Sequence, residues 1–270
     1  MIKTCFQRPE DGKAGPEGGC APATATPRRD ATDTPALELC DLGIPGRLGG
    51  ISLNLPAGKL CGLLGPNGSG KSTLLQCAAG VLPCRGRIRW AGRDLDAIPA
   101  LERGRHTAWV PQDASFEFGF TVQSVISQGR YAHGDDGKGV REAMERLDLA
   151  PLAARPVNRL SGGERQRVLL ARAVTTGAPL QLWDEPLAQL DPRHVLETLA
   201  LARELASRPG ASLLLSLHDL SLARELDWLI LLENGLLRAA GPPARILTPA
   251  LLHSVFRVHA TVAPGFALTL

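Results

Sequence analysis

The chain has 270 residues, 44% of them hydrophobic and 21% charged, enough for one large domain or two modest ones with a real core. A net charge of +3 without a long basic run, one tyrosine and six phenylalanines exclude an electrostatic or stacking platform for nucleic acid. No window of about eighteen uninterrupted apolar residues and no apolar leader are present, so neither a membrane span nor export is expected, and a cytosolic location follows by default.

Residues 1 to about 35 are rich in Gly, Pro, Ala, Thr and charge and lack apolar periodicity, which predicts a disordered tail. From Ala36 the pattern turns to strands: Leu37–Leu39, Ile51–Leu55 and Gly86–Trp90 alternate as half-buried segments. Between the last two, Cys61–Leu64 reads as a buried strand and Thr73–Ala79 as a helix. The stretch from roughly 115 to 158 changes character, with helical spacing over Val122–Gln128 and Val140–Leu149 around the loop His133–Gly137, and predicts an inserted helical subdomain. A helix (Glu164–Thr175), a buried strand (Leu180–Trp183), a helix (Arg193–Ala206) and a strand (Ser212–Leu217) follow, then a hairpin over Leu229–Leu237 and a small helical end. Strands alternating with helices predict a parallel sheet covered on both faces, hence an α/β fold. The six cysteines, at 5, 20, 40, 61, 77 and 84, show no C-x-x-C pairing, and reduced thiols are expected, with Cys61 and Cys77 in the core.

The most informative run is Gly65-Pro66-Asn67-Gly68-Ser69-Gly70-Lys71-Ser72, set between an apolar strand and a helix. Its glycines let the backbone turn tightly so that amide N–H groups point inward at phosphate oxygens, and the helix dipole adds to that field. This is the pattern of a phosphate loop, in which Lys71 reaches the β- and γ-phosphates, Ser72 ligates Mg²⁺ and Thr73 supports the phosphate end. Downstream, Asp184 and Glu185 emerge from the end of a buried strand, where open α/β sheets place their ligands. An Asp–Glu pair alone is an ordinary solvated loop; with the phosphate loop upstream, Asp184 suits Mg²⁺ and Glu185 suits the water attacking a γ-phosphate. Leu160-Ser161-Gly162-Gly163-Glu164-Arg165-Gln166 opens a helix with Ser161 as N-cap and two glycines freeing backbone amides, a second anion-binding helix start.

These last residues resemble the signature motif of ATP-binding cassette (ABC) ATPases, and the resemblance extends from about Ala36 to the end of the chain. It implies a phosphate-loop NTPase cassette: a mixed central sheet, an N-terminal antiparallel β subdomain and an inserted α-helical subdomain, with ATP and Mg²⁺ as cofactors. It further implies roles for matching residues. Gln112 corresponds to the glutamine that reaches Mg²⁺ and the attacking water, and His218 to the switch histidine that holds that water with Glu185. Asp191, in Leu187-Ala188-Gln189-Leu190-Asp191, corresponds to the D-loop aspartate at the interface between two cassettes. The family's adenine-stacking aromatic has no counterpart in Gly43–Gly50, and Arg47 is expected to stack on the base instead. With one phosphate loop and one signature motif, a head-to-tail homodimer is implied, in which Ser161, Gly162 and Gly163 of one chain cap the γ-phosphate held by the other.

Within the family, Gly129-Arg130-Tyr131-Ala132-His133 and the ending Leu247–Leu252 with Val255-Phe256 resemble importers of metal chelates, although those relatives have Pro where Ala132 stands. The short adenine region around Arg47 is most similar to the cobalamin-importing branch. The implied function is ATP hydrolysis energising uptake of cobalamin, a ferric siderophore or haem. The implied partners are a transmembrane permease, docked on the helical insert, and a periplasmic or extracellular substrate-binding protein; the implied place is the cytoplasmic face of the inner membrane. An exporter ATPase is the alternative, and a soluble ABC ATPase a more distant one.

Overall fold

The computed structural model describes residues 34–112, 116–135 and 137–258. The tail expected over 1–35 lies outside the described residues up to residue 33, as do Cys5 and Cys20. Strand β1 (Leu37–Ile44) pairs antiparallel with β2 (Leu48–Leu55), in which buried Ile51, Leu53 and Leu55 alternate with exposed Ser52 and Asn54. Next, β3 (Leu60–Leu64) is buried at every position and leads into α1 (Lys71–Ala78). The chain returns to the first layer as β4 (Arg85–Trp90) and β5 (Arg93–Asp94), completing an antiparallel sheet in the order β2-β1-β4-β5.

A helix α2 (Ala100–His106) and a strand β6 (Thr107–Val110) come next, followed by α3 (Val122–Ser127), a 3₁₀ stretch (Gln128–His133) and α4 (Val140–Arg146). The remaining elements are α5 (Gly162–Thr175), β7 (Leu180–Trp183), α6 (Pro192–Ala206), β8 (Ser212–Ser216) and α7 (Leu220–Ala223). Strands β9 (Trp228–Glu233) and β10 (Leu236–Gly241) form the hairpin, and α8 (Pro243–Ile246) and α9 (Pro249–Phe256) the helical end. The second sheet has the order β10-β9-β3-β8-β7-β6 and is parallel except for β10.

Strand periodicity divides the core between the two faces of this sheet. Leu60 and Leu64, Leu213 and Leu215, and Leu229 and Leu231 face α3, α4, α5 and α6. Cys61 and Leu63, Leu214, and Ile230 and Leu232 face α1 and the antiparallel sheet. Both faces are covered, which is why the strands read as unbroken apolar runs. Because β3, β6, β7 and β8 are parallel, their C-terminal ends lie along one edge, and each delivers one piece of the site described below.

The segment expected to be a helical insert is helical, with Val122, Val125, Ile126, Val140, Ala143 and Met144 buried and α3 and α4 packed on α5. Besides the short β5 and α7, strand β6 and helix α2 were not anticipated. The four residues of β6 are too few to show a period, and α2 buries none of its residues, so it carries no apolar stripe. Helix α5 starts at Gly162 rather than Glu164 because Ser161 caps it.

Candidate active site

The turn between β3 and α1 is closed by main-chain contacts that leave no room for a side chain. At Gly65, φ is 155° and a β-carbon would lie 2.4 Å from the Leu232 carbonyl oxygen, so glycine is required there. Lys71 folds back over the turn, its ammonium donating to the carbonyls of Gly65 at 2.8 Å and Pro66 at 3.2 Å. It is only 6% exposed. Burial pushes its pKa down, while the carboxylates of Glu185 and Asp184 pull the other way. Helix α1 has no capping side chain at Gly70 and no acid in its first turn. The Ser69 hydroxyl is buried without a hydrogen-bond partner. Uncapped amides, a masked ammonium and an orphaned hydroxyl together fit the oxygens of a triphosphate.

Asp184 directly follows strand β7 and is 2% exposed. The Ser216 hydroxyl, at the end of β8, donates to Asp184 Oδ1 at 2.6 Å and accepts the backbone N–H of Glu185 at 2.8 Å. One hydroxyl therefore fixes both acids. Sequence reasoning missed Ser216; the available signal was a polar residue closing the apolar run Leu213-Leu214-Leu215 at a strand's C-terminal edge. Glu185 itself sits at φ 46°, a left-handed conformation that costs a non-glycine residue about 1–3 kcal/mol. Its carboxylate is gripped at both oxygens: Gln112 Nε2 donates to Oε2 at 2.9 Å and His218 Nε2 to Oε1 at 2.7 Å. An ionised carboxylate only accepts, so Nε2 of His218 carries the proton. Gln112 follows β6 and His218 follows β8, so three strand ends converge on one carboxylate, which can orient a water molecule and polarise it.

Arg47 lies on the opposite lip of the cleft. The Asn234-Gly235 turn between β9 and β10 holds that lip: Gly235 accepts from the Gly49 amide at 2.9 Å and donates to the Ser69 carbonyl at 3.0 Å. A side chain at Gly235, where φ is 74°, would put a β-carbon 2.3 Å from the Arg47 carbonyl oxygen. The hairpin was expected over Leu229–Leu237, and an Asn-Gly pair between two strands is its signal, but its seat against the phosphate loop was not anticipated. The Arg47 side chain is exposed and makes no hydrogen bond or ion pair among the described residues, leaving its guanidinium face open to a planar base. Arg47, Asn67 to Thr73, Gln112, Glu185 and His218 line one cleft of about 1280 Å³. Gly65 and Pro66 hold Lys71 at its floor, and Asp184 lies buried beside it.

Ser161, Gly162, Gly163 and Asp191 are not among the residues lining this cleft. Ser161 caps α5 in a reciprocal box with Glu164: the Ser161 hydroxyl accepts the Glu164 amide at 3.2 Å and Glu164 Oε2 accepts the Ser161 amide at 2.7 Å. That backbone bond, chiefly, holds the Glu164 carboxyl below its ordinary range. Gly162 and Gly163 lie against Gln189, where added β-carbons would come within 2.2 Å of Gln189 Oε1 and 2.9 Å of its carbonyl oxygen. Asp191 caps α6, accepting the His194 amide at 3.0 Å.

A profile of the ABC transporter family matches residues 48–188. The hemin import ATP-binding protein of Pseudomonas entomophila is 44% identical over 233 residues, covering 80% of this chain and 89% of that protein. The cobalamin import ATP-binding protein of Halobacterium salinarum is 42% identical over 220 residues, covering 78% of this chain and 55% of that protein, so the chain spans little more than half the length of this relative. A solved ABC transporter of the metal-chelate type, in an inward-facing conformation, superposes with a TM-score of 0.69 at 27% identity, covering 84% of this chain and 90% of that one. The chain belongs to the ABC transporter family.

Proposed function

We propose that this chain hydrolyses ATP to energise import of a metal chelate, namely cobalamin, a ferric siderophore or haem, through a membrane permease. The observation that carries the ATPase half is the Glu185 carboxylate held by Gln112 and His218 across the cleft from the phosphate loop. The import half is supported by likeness to hemin and cobalamin import ATP-binding proteins.

In this reading Lys71 releases the loop carbonyls to take the β- and γ-phosphate oxygens, a trade its raised cost of burial favours. Glu185 orients the attacking water and accepts its proton, and His218 holds the same carboxylate in place and reaches the γ-phosphate. Ser72, Gln112 and Asp184 form a hard oxygen donor set that would hold Mg²⁺, which supplies positive charge to the β- and γ-phosphate oxygens. Asp184 is pre-positioned for this by Ser216. Arg47 stacks on the adenine.

Two copies close head to tail, each offering Ser161, Gly162, Gly163 and Asp191 to the nucleotide of the other; that these residues stand away from their own cleft supports this. The permease docks in the apolar groove between α2 and the 3₁₀ stretch, where Leu101 is 57% and Tyr131 80% exposed. The chain then works at the cytoplasmic face of the inner membrane, with a periplasmic or extracellular binding protein delivering the chelate. No helix among the described residues is long and apolar enough to cross a membrane.

The test is co-purification with the permease, reconstitution in vesicles, and ATP turnover measured with cobalamin, a ferric siderophore and a haem in turn. Stimulation by one of the three is expected. Intact basal turnover that none of them stimulates overturns the chelate assignment, and absence of Mg-ATP turnover overturns the enzyme.

A further inference from the structure

His194, which the cleft does not contain, joins the two motifs that stand outside it. Its ring Nδ1 lies 2.7 Å from Asp191 Oδ2, while its own amide occupies Asp191 Oδ1 at 3.0 Å. A capping aspartate ordinarily uses one oxygen; here His194 takes both. Those bonds, the amide's first, keep the Asp191 carboxyl below its ordinary range, so it is ionised and can only accept. Nδ1 therefore carries a proton. The other ring nitrogen, Nε2, contacts Arg167 Nη1, and a guanidinium can only donate. In that contact Nε2 is the acceptor, so the ring is held from both sides, by Asp191 and by Arg167.

The other groups around the ring are accounted for. Asp148 Oδ2 lies 3.8 Å from Nε2, and Arg193 reaches both Asp148, at 3.8 Å, and Glu197, at 2.8 Å. Asp148, His194 and Glu197 bring possible ligand atoms within 4.8 Å of one another. Even so, Arg167 already occupies Nε2 and Arg193 already occupies Glu197, so two guanidinium groups stand where a cation would have to enter. The ring is 18% exposed, and Arg167 Nε is buried without a partner, so this contact accounts for one end of that guanidinium only.

We propose that His194 is a positioning residue that locks the D-loop to the signature helix. Arg167 lies on α5, one turn past Ser161-Gly162-Gly163; Asp191 closes the D-loop; His194 bridges them. The glycines of the signature motif already lie on Gln189 of the same loop, so the bridge fixes the far side of a contact whose near side is van der Waals. The two elements that one chain presents to its partner's nucleotide thus move as one body. The inference rests on the head-to-tail dimer proposed above.

The test uses His194→Asn, which keeps a donor toward Asp191 but cannot reach Arg167, and Arg167→Gln. Each is expected to lower kcat about tenfold, the worth of one charge-assisted hydrogen bond, while leaving ATP affinity of the isolated chain unchanged. The double variant should be no worse than either single one, because both break the same link. Arg167→Lys should recover part of the rate. In the Glu185→Gln background, His194→Asn should reduce the Mg-ATP-dependent dimer. Wild-type kcat in both single variants, or losses that multiply in the double, would overturn the bridge. If Glu185→Gln alone forms no dimer, the dimer reading falls instead, and the two failures are told apart by that control. Should His194→Asn fold poorly, the Arg167→Gln and Arg167→Lys pair decides.

Discussion

At the scale of single residues, the site depends on side chains that satisfy one another before any nucleotide arrives. Lys71 is the clearest case: its buried ammonium is held by two carbonyls beside the Glu185 and Asp184 carboxylates, so its removal deletes a full positive charge from the phosphate loop. Lys71→Ala is expected to abolish ATP binding at millimolar nucleotide, measured by isothermal titration; binding of unchanged strength would remove Lys71 from the phosphate site. Ser216 makes a finer prediction. In Ser216→Ala, buried Asp184 loses its donor and the Glu185 amide its acceptor, each costing about 1–3 kcal/mol if left unpaired. We expect kcat to fall about tenfold or more, and higher Mg²⁺ to be needed for half-maximal rate. Wild-type Mg²⁺ dependence in that variant would show that Asp184 needs no such support.

At the scale of elements, what was legible followed from pattern length and chemistry. The phosphate loop, the Asp184–Glu185 edge and the Ser161 cap each combine a fixed spacing with an obligatory flank, a strand before or a helix after, and the structure has those flanks. Strand β6 and helix α2 were not legible because one is four residues and the other buries nothing. Ser216 and the seat of the Asn234-Gly235 turn were missed for another reason: their partners lie far along the chain, and only the sheet order brings β8 beside β7 and the β9–β10 turn over the phosphate loop. Contacts between distant positions also tie one helix to another. Arg146, ending α4, bonds Glu204 on α6, and Arg208 bonds the same carboxylate at 3.2 Å. The Arg146 bond, chiefly, drops the Glu204 pKa from 4.5 to about 2. A depressed carboxylate stabilises the fold above its unfolded value and loses that contribution as pH falls through its folded one, so the window here runs from pH 4.5 down to about 2. Both side chains are more than a third exposed, so solvent screens the pair and its worth is at most about 1 kcal/mol, or about 2–4 °C. Glu204→Gln should lower the melting temperature by that amount at pH 7, and the two proteins should converge toward pH 2. A gap that persists at the acid end would assign the loss to packing rather than charge.

At the scale of the whole molecule, the placement of motifs divides the surface into the cleft of one chain and the residues that the proposed dimer would bring to a second copy. The cleft contains the phosphate loop, Gln112, Glu185 and His218, while Ser161, Gly163 and Asp191 point their chemistry elsewhere. Glu185→Gln separates the two halves. Glutamine keeps the shape and accepts a hydrogen bond at one terminal atom, so His218 or Gln112 can still be satisfied, but it cannot take the proton of an attacking water. Nucleotide should bind, turnover should fall by at least about a hundredfold, and the γ-phosphate that joins two chains should persist. Size-exclusion chromatography with light scattering in Mg-ATP should then show a dimer that reverts to monomer in Mg-ADP. Ser161→Arg in the same background should leave ATP affinity intact and abolish that dimer, because a long cation replaces the small cap that faces the partner's phosphate. A dimer unaffected by Ser161→Arg would mean that the signature helix of one chain does not meet the nucleotide of the other, and the division of the surface would have to be redrawn.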